Sequence, residues 1–236
     1  MCAGVAELAD AHGSGPCSRK RVGVQLSPPA HKKIQNSKFM FIPGQIVKKF
    51  FSKKGKEMII RYPKWEDLEE LTRYINKLSS EDTFITFSGE EIKKEEEAKA
   101  LSKWFCEIEM GDKVVLGCFY KEKLIGLANV DRDKSNRKRS LHVGTFGISV
   151  EKEFRGEGIG YELGKTIIEE AKKRIAGLKM IILDVYSLNI NAQNLYKKLG
   201  FKEAGRLPKR ILYRSSYIDE IKMYTHLTLV CQSKAD

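Results

Sequence analysis

The chain of 236 residues is poor in the residues that announce several large classes of protein. It has two tryptophans, four histidines and six prolines. No apolar run approaches the roughly 20 residues a helix needs to cross a bilayer, so no membrane span is expected. Five cysteines (Cys2, Cys17, Cys106, Cys118 and Cys231) are scattered, odd in number and never spaced Cys-x-x-Cys. That pattern supports neither a zinc site nor a disulfide framework, and no metal is expected. Reduced thiols in the cytoplasm are the default reading. The full Gly-x-x-x-x-Gly-Lys-Ser/Thr spacing of a Walker loop is absent. A Rossmann fingerprint fails as well: Gly156, Gly158 and Gly160 are spaced Gly-x-Gly-x-Gly and fall late in the chain.

What the chain does have is positive charge. Lys and Arg outnumber Asp and Glu by 43 to 31, giving a net charge of +12. An anionic ligand fits that balance, whether nucleic acid, acidic lipid or a phosphorylated cofactor, although charge alone could equally be a solvated surface. No nucleic-acid reading motif accompanies the charge. The basic run Arg132–Arg139 reads as an exposed turn.

Residues 1–39 hold Gly, Ser, Pro and basic residues without a sustained period, and no basic region precedes a long apolar core as in a secretory signal. Gly4-Val5-Ala6-Glu7-Leu8-Ala9-Asp10-Ala11 and Val24-Gln25 read like the translated D-arm and T-arm of a transfer-RNA gene. The expectation is a start placed too far upstream, with Met40 the true start, or else a disordered basic arm. Residues 40–57 are expected to be a linker, 58–226 a single domain and 227–236 a tail.

From Met58 onward the periodicities predict an α/β domain. Short strands are expected at Met58–Arg61, Lys113–Tyr120, Leu124–Asp131, Ser140–Val150, Met180–Tyr186, Phe201–Gly205 and Ile218–Tyr224. Helices are expected at Trp65–Leu78, Glu90–Met110, Tyr161–Ile175 and Asn189–Leu199, the last capped by Gly200. Acidic residues Glu66, Asp67, Glu69, Glu70 and Glu95–Glu97 read as a solvated helix face paired with lysines.

Arg155-Gly156-Glu157-Gly158-Ile159-Gly160 lies at a strand-to-helix turn. Glycines let the backbone turn sharply and approach a ligand. Unpaired amides at the following helix start, with the dipole, favour phosphate, and Arg155 could add a charged fork.

This loop fits the (Gln/Arg)-x-x-Gly-x-(Gly/Ala) pattern of the GNAT superfamily of acyl-CoA N-acyltransferases. Asn189-x-x-Ala192-x-x-Leu195-Tyr196-x-x-x-Gly200-Phe201 fits the same family's fourth helix and the strand after it. The resemblance covers about residues 58–226, and the ending Tyr217–Tyr224 looks most like ribosomal-protein and related amino-group acetyltransferases. It implies the GNAT fold, a mixed central sheet flanked by helices. It implies acetyl-CoA as co-substrate and transfer of its acetyl group to a primary amine. The acceptor partner would be a protein N-terminus, a polyamine, an amino acid or another small amine. A non-catalytic acyl-CoA sensor of the same fold is the alternative, and a homodimer stays open.

By the same resemblance, coenzyme A would lie between the strand ending at Val150 and the strand Met180–Tyr186. Ile148, Ser149 and Val150 would bind the pantetheine arm, and Arg155, Gly156, Glu157, Gly158, Ile159, Gly160 and Tyr161 the pyrophosphate. Asn189 would bind the pantetheine or cap its helix. A backbone amide near Phe146–Ile148 would face the oxyanion. Tyr196 is the expected general acid, with simple packing as its competing role. For the base, strand parity offers His142, the family pattern offers Asp184, and ordered water could replace either.

Overall fold

The computed structural model describes residues 41–81 and 84–227. The expected extension over 1–39, the start at Met40 and the tail beyond Leu227 fall outside the described residues. Eight strands of the described residues form one sheet: β1 Ile46–Phe51, β2 Glu57–Arg61, β3 Lys113–Tyr120, β4 Lys123–Arg132, β5 Val143–Val150, β6 Met180–Tyr186, β7 Lys202–Tyr213 and β8 Ser216–His226. Their order is β1-β2-β3-β4-β5-β6-β8-β7, and every neighbouring pair is antiparallel except β5 and β6. Among the described residues four α-helices complete the fold: α1 Leu68–Ser80, α2 Lys94–Glu109, α3 Ile159–Arg174 and α4 Ile190–Lys198.

The segment 40–57 is not the linker expected, because it carries β1. Gly55, at φ +74°, sits in the tight turn that leads β1 back into β2. β7 and β8 are also longer than expected. β7 carries Pro208, which the sheet's edge tolerates because a missing amide there costs no ladder bond. The register there shifts between Leu207 and Ile211, a bulge that absorbs Lys209 at φ +53°.

β3 is buried almost end to end, so it reads as a continuous apolar run rather than an alternation. On β4, alternate residues divide between two helix layers. Gly126 faces α3, where a Cβ would lie 3.3 Å from Leu163 Cδ2. α3 buries Ile159, Leu163, Ile167 and Ala171 at four-residue spacing, each worth up to about 1.5–3 kcal/mol for the larger side chains. On the other face, α1 buries Leu71, Tyr74 and Leu78. The Tyr74 hydroxyl lies 2.9 Å from Ser149 Oγ on β5. β4 and β5, paired Gly126 to Val150 and Leu127 to Ser149, therefore carry α3 on their even face and α1 on their odd face.

Asp67, expected on a solvated acidic face, is instead buried at the start of α1. It accepts two hydrogen bonds from Arg61, at 2.6 and 2.7 Å, and one from the Lys64 amide at 2.9 Å. The Arg61 guanidinium also stacks 3.6 Å from the Phe119 ring centroid. Glu69 and Glu70 do pair at the surface, with Lys94 and Arg73. Breaking a buried ion pair strands its partner, so Asp67→Ala is expected to lower the unfolding free energy by about 3 kcal/mol. Urea denaturation checks this, and a loss under about 0.5 kcal/mol, the range of ordinary surface changes, would count against it.

Candidate active site

The site begins where β5 and β6 stop pairing. Their parallel register runs only from Val143↔Met180 to Thr145↔Ile182. Beyond it, β5 stays bonded to β4 as far as Val150, and β6 stays bonded to β8 as far as Tyr186. The strands therefore diverge, each held straight by its outer neighbour. Facing edges from Phe146 to Val150 and from Leu183 to Tyr186 carry peptide groups without a partner strand, a slot for a ligand that bonds as a strand does. Ile148 and Val150 face α3, whereas Ser149 faces α1.

The glycine loop closes the wide end. Gly156 and Gly158 sit at φ +80° and +86°, a left-handed backbone that side chains other than glycine adopt at a cost. Gly158 is the N-cap of α3. Gly160 serves packing instead, since a Cβ there would lie 3.3 Å from Leu195 Cδ2 of α4. The Tyr161 amide, expected to face the ligand, donates to the Gly158 carbonyl at 3.1 Å, so it is already committed. Arg155 is also committed: Nε donates to the Val150 carbonyl at 2.8 Å and Nη2 to Glu81 at 2.6 Å.

Two buried carboxylates brace this loop. The Glu151 side chain is fully buried and pairs with Arg73 at 2.6 Å, Lys123 at 3.0 Å and Lys77 at 3.2 Å. Burial alone would raise its pKa, but hydrogen bonds from Lys123, Arg73 and Lys77 outweigh that and hold it below the ordinary value of 4.5. Glu157, expected to contact the ligand, turns its side chain inward. It accepts from Ser52 Oγ at 3.0 Å and pairs with Lys56 at 2.9 Å and Lys54 at 3.2 Å. Burial pushes its carboxyl up, and the hydrogen bonds from Lys56, Lys54 and Ser52 bring it below the ordinary range.

Tyr196, on α4, is 7% exposed and packs edge-on to Phe146, where the strands begin to part, at 5.9 Å between ring centroids. Phe201 packs on both rings. Gly200, at φ +91°, allows the Phe201 amide to reach back to the Tyr196 carbonyl at 2.9 Å, which closes the helix. The Tyr196 hydroxyl makes no hydrogen bond among the described residues, and burial pushes its pKa up to about 12. Asn189 caps α4, its Oδ1 accepting from the Ala192 amide at 3.1 Å.

His142 does not reach this cleft. It is exposed in the turn before β5, not on the strand as parity suggested, and its carbonyl accepts from Lys179 and Met180 at the paired end. Four residues of strand, about 13 Å, separate it from Phe146. Asp184 lies within the diverging part of β6, on the α1 side, with its carboxylate 2.8 Å from Lys222.

Three aromatic residues beside the cleft escaped the sequence reading. Phe84, from the segment between α1 and α2, stacks on Tyr213 of β7 at 5.1 Å and meets Tyr186 of β6 edge-on at 6.3 Å. They come from three separate segments, so no local pattern joins them.

The model of the Acetyltransferase (GNAT) family matches residues 72–201. The chain belongs to that family. It is 32% identical to the N-alpha-acetyltransferase of Sulfurisphaera tokodaii over 152 residues, covering 64% of this chain and 84% of that one. It is 33% identical over 96 residues to human N-acetyltransferase 8B, covering 38% of this chain and 40% of that protein. The chain thus spans about two fifths of the length of the human relatives it matches. The protein YncA of Salmonella typhimurium, solved with its cofactor acetyl-CoA, shares the fold with a TM-score of 0.64 at 18% identity, covering 76% of this chain and 99% of that one.

Because the depressed Glu151 carboxyl favours the folded state only when ionised, its contribution is present above the ordinary value of 4.5 and is lost as pH falls through the lowered value. Glu151→Gln is expected to cost about 2 kcal/mol near neutral pH, the scale of charged hydrogen bonds. The gap between variant and parent should close in acid. Urea titrations at both conditions check it; a gap of constant size would show that the charge is not what anchors the loop.

Proposed function

We propose that the chain transfers an acetyl group from acetyl-CoA to a primary amine, by direct attack within a ternary complex. The observation that carries this reading is the Tyr196 hydroxyl, without a hydrogen bond among the described residues and held on buried rings at the point where β5 and β6 diverge. The residues present fit the donor. The open edge of β5 from Phe146 to Val150 offers peptide groups to a pantetheine arm, which carries amides of its own. The amides at Gly156–Gly160 and the α3 dipole suit a pyrophosphate. Asn189 retains its Nδ2 for the same arm while Oδ1 caps α4.

Acetyl-CoA supplies an activated acyl group and a thiolate that can leave. The protein's part is to orient the amine, remove its proton, stabilise charge on the acyl oxygen and return a proton to sulfur. A backbone amide of the Phe146–Ile148 stretch faces the slot and would meet the acyl oxygen. Tyr196, kept protonated by its buried setting, donates to the departing sulfur. Asp184, on the opposite face of the diverging strands, takes the amine proton directly or through water. The amine enters from the α1 side, beside Phe84, Tyr186 and Tyr213. A protein N-terminus, as the name of the Sulfurisphaera tokodaii relative suggests, and a small amine both fit that opening.

Loss of a general acid typically costs between about 100- and 10,000-fold, so Tyr196→Phe should fall in kcat by that order while the KM for acetyl-CoA stays within about twofold. Thiol release over a panel of amines and peptides reads this, with products weighed by mass spectrometry. An unchanged kcat would remove Tyr196 from the chemistry, and acetyl-CoA binding without turnover across the panel would favour the sensor.

Asp184→Asn is expected to lower kcat with the same amine, whereas His142→Ala should leave both kcat and KM unchanged. The same steady-state assay compares the two, and the reverse ranking would return the base to the paired end of β5.

A further inference from the structure

The β1–β2 turn is docked on the glycine loop. The Lys53 amide donates to the Glu157 carbonyl at 3.0 Å, and Ser52, Lys54 and Lys56 all engage the Glu157 carboxylate. Lys48 of β1 adds a contact to Glu162 in the first turn of α3 at 2.7 Å. Three of these lysines spend their charge on the protein. Lys53 does not: its ammonium enters no ion pair or hydrogen bond among the described residues. Its stem crosses the α3 N-cap, with Cγ, Cε and Cδ at 3.6, 3.7 and 4.0 Å from where a Cβ on Gly158 would stand. Among the described residues it is a charge beside the helix start that stays uncommitted, whereas Arg155 is held by Glu81 and the Val150 carbonyl.

We infer that Lys53 is a phosphate-binding residue of the donor site, and that the β1–β2 turn is the part of the fold that delivers it. Lys53 lies outside the matched family region, residues 72–201, so the family pattern does not assign it. The inference rests on the acetyl-CoA reading above. Its physical logic is a division of charge. Glu157 pins the turn by neutralising Lys54 and Lys56, and the turn so fixed extends Lys53 along the N-cap. There its ammonium meets the same anion that the Gly158–Gly160 backbone addresses.

The test uses the full chain, with acetyl-CoA and S-acetylpantetheine as probes, the second having the same arm and acyl group but no pyrophosphate. Lys53→Ala should weaken acetyl-CoA about tenfold in Kd by calorimetry and in KM, as expected for one charged hydrogen bond, with kcat within about twofold. Lys53→Arg should restore most of the loss. S-acetylpantetheine kinetics should be the same for Lys53→Ala and the parent. Equal loss on both donors would overturn the inference by showing a distorted loop, and an unchanged Kd for acetyl-CoA would overturn it outright. If the parent protein itself fails to bind acetyl-CoA, the donor reading falls and carries this one with it. Binding by the parent with no effect of Lys53→Ala removes Lys53 alone.

Discussion

The structure turns on one interruption: the parallel pairing of β5 and β6 ends after three residue pairs. A sheet ordinarily gains by completing its ladder, because buried peptide groups without partners are costly. Here both strands continue past the break, tied to β4 on one side and to β8 on the other. The layers on either face follow the same division. α3 covers β3, β4 and β5 on one face, with α2 on β3 and α1 on β4 and β5, whereas α4 leads the chain on to β7. The cleft is thus a built property of the sheet rather than a gap between loose loops. A ligand arm that pairs in it restores bonds the sheet leaves open.

The glycine loop at the mouth of that cleft is held in place by charge. Gly156 and Gly158 supply the left-handed turns, but a flexible residue type does not by itself hold one conformation. Glu151 fastens the start of the loop to α1 and the β3–β4 turn, and Glu157 fastens its middle to the β1–β2 turn. Both carboxylates remain ionised in burial because several cations compensate the lost hydration. Elements far apart in sequence therefore converge on ten residues. β1, with no core of its own, gains a structural reason to be present.

Much of this was legible in the sequence where one segment carries its own signal. β3 and β6 occupy the bounds their apolar runs indicated, and α4 follows its Asn cap and Gly stop to within a residue. The pairing of the glycine loop with Asn189–Phe201 pointed to the family, because both motifs depend on local backbone geometry. What stayed hidden depends on long-range partners. Asp67 reads as a surface acid and Glu157 as a ligand contact until Arg61 and the β1–β2 turn arrive from elsewhere. Tyr74 and Ser149, or Phe84 and Tyr213, meet only once the sheet exists. His142 failed for a different reason: alternation was continued past the first residue of β5, where a turn already replaces the strand.

Within the loop, Glu151 is neutralised by three cations, Glu157 by two and Arg155 by Glu81. An anion arriving there meets mainly fixed backbone amides and the dipole of α3, which need no reorganisation to receive it. Such a surface costs little entropy on binding, whereas a set of free arginines would have to be ordered one by one. The net charge of +12 then acts at longer range, drawing an anionic donor toward a site whose short-range fit is already set. In the proposed reaction the sheet break would orient the arm, the braced loop would receive the anion, and the chemistry would fall to Tyr196 and the opposite face of β6. These are separate tasks resting on separate residues, so a substitution in one should leave the others standing.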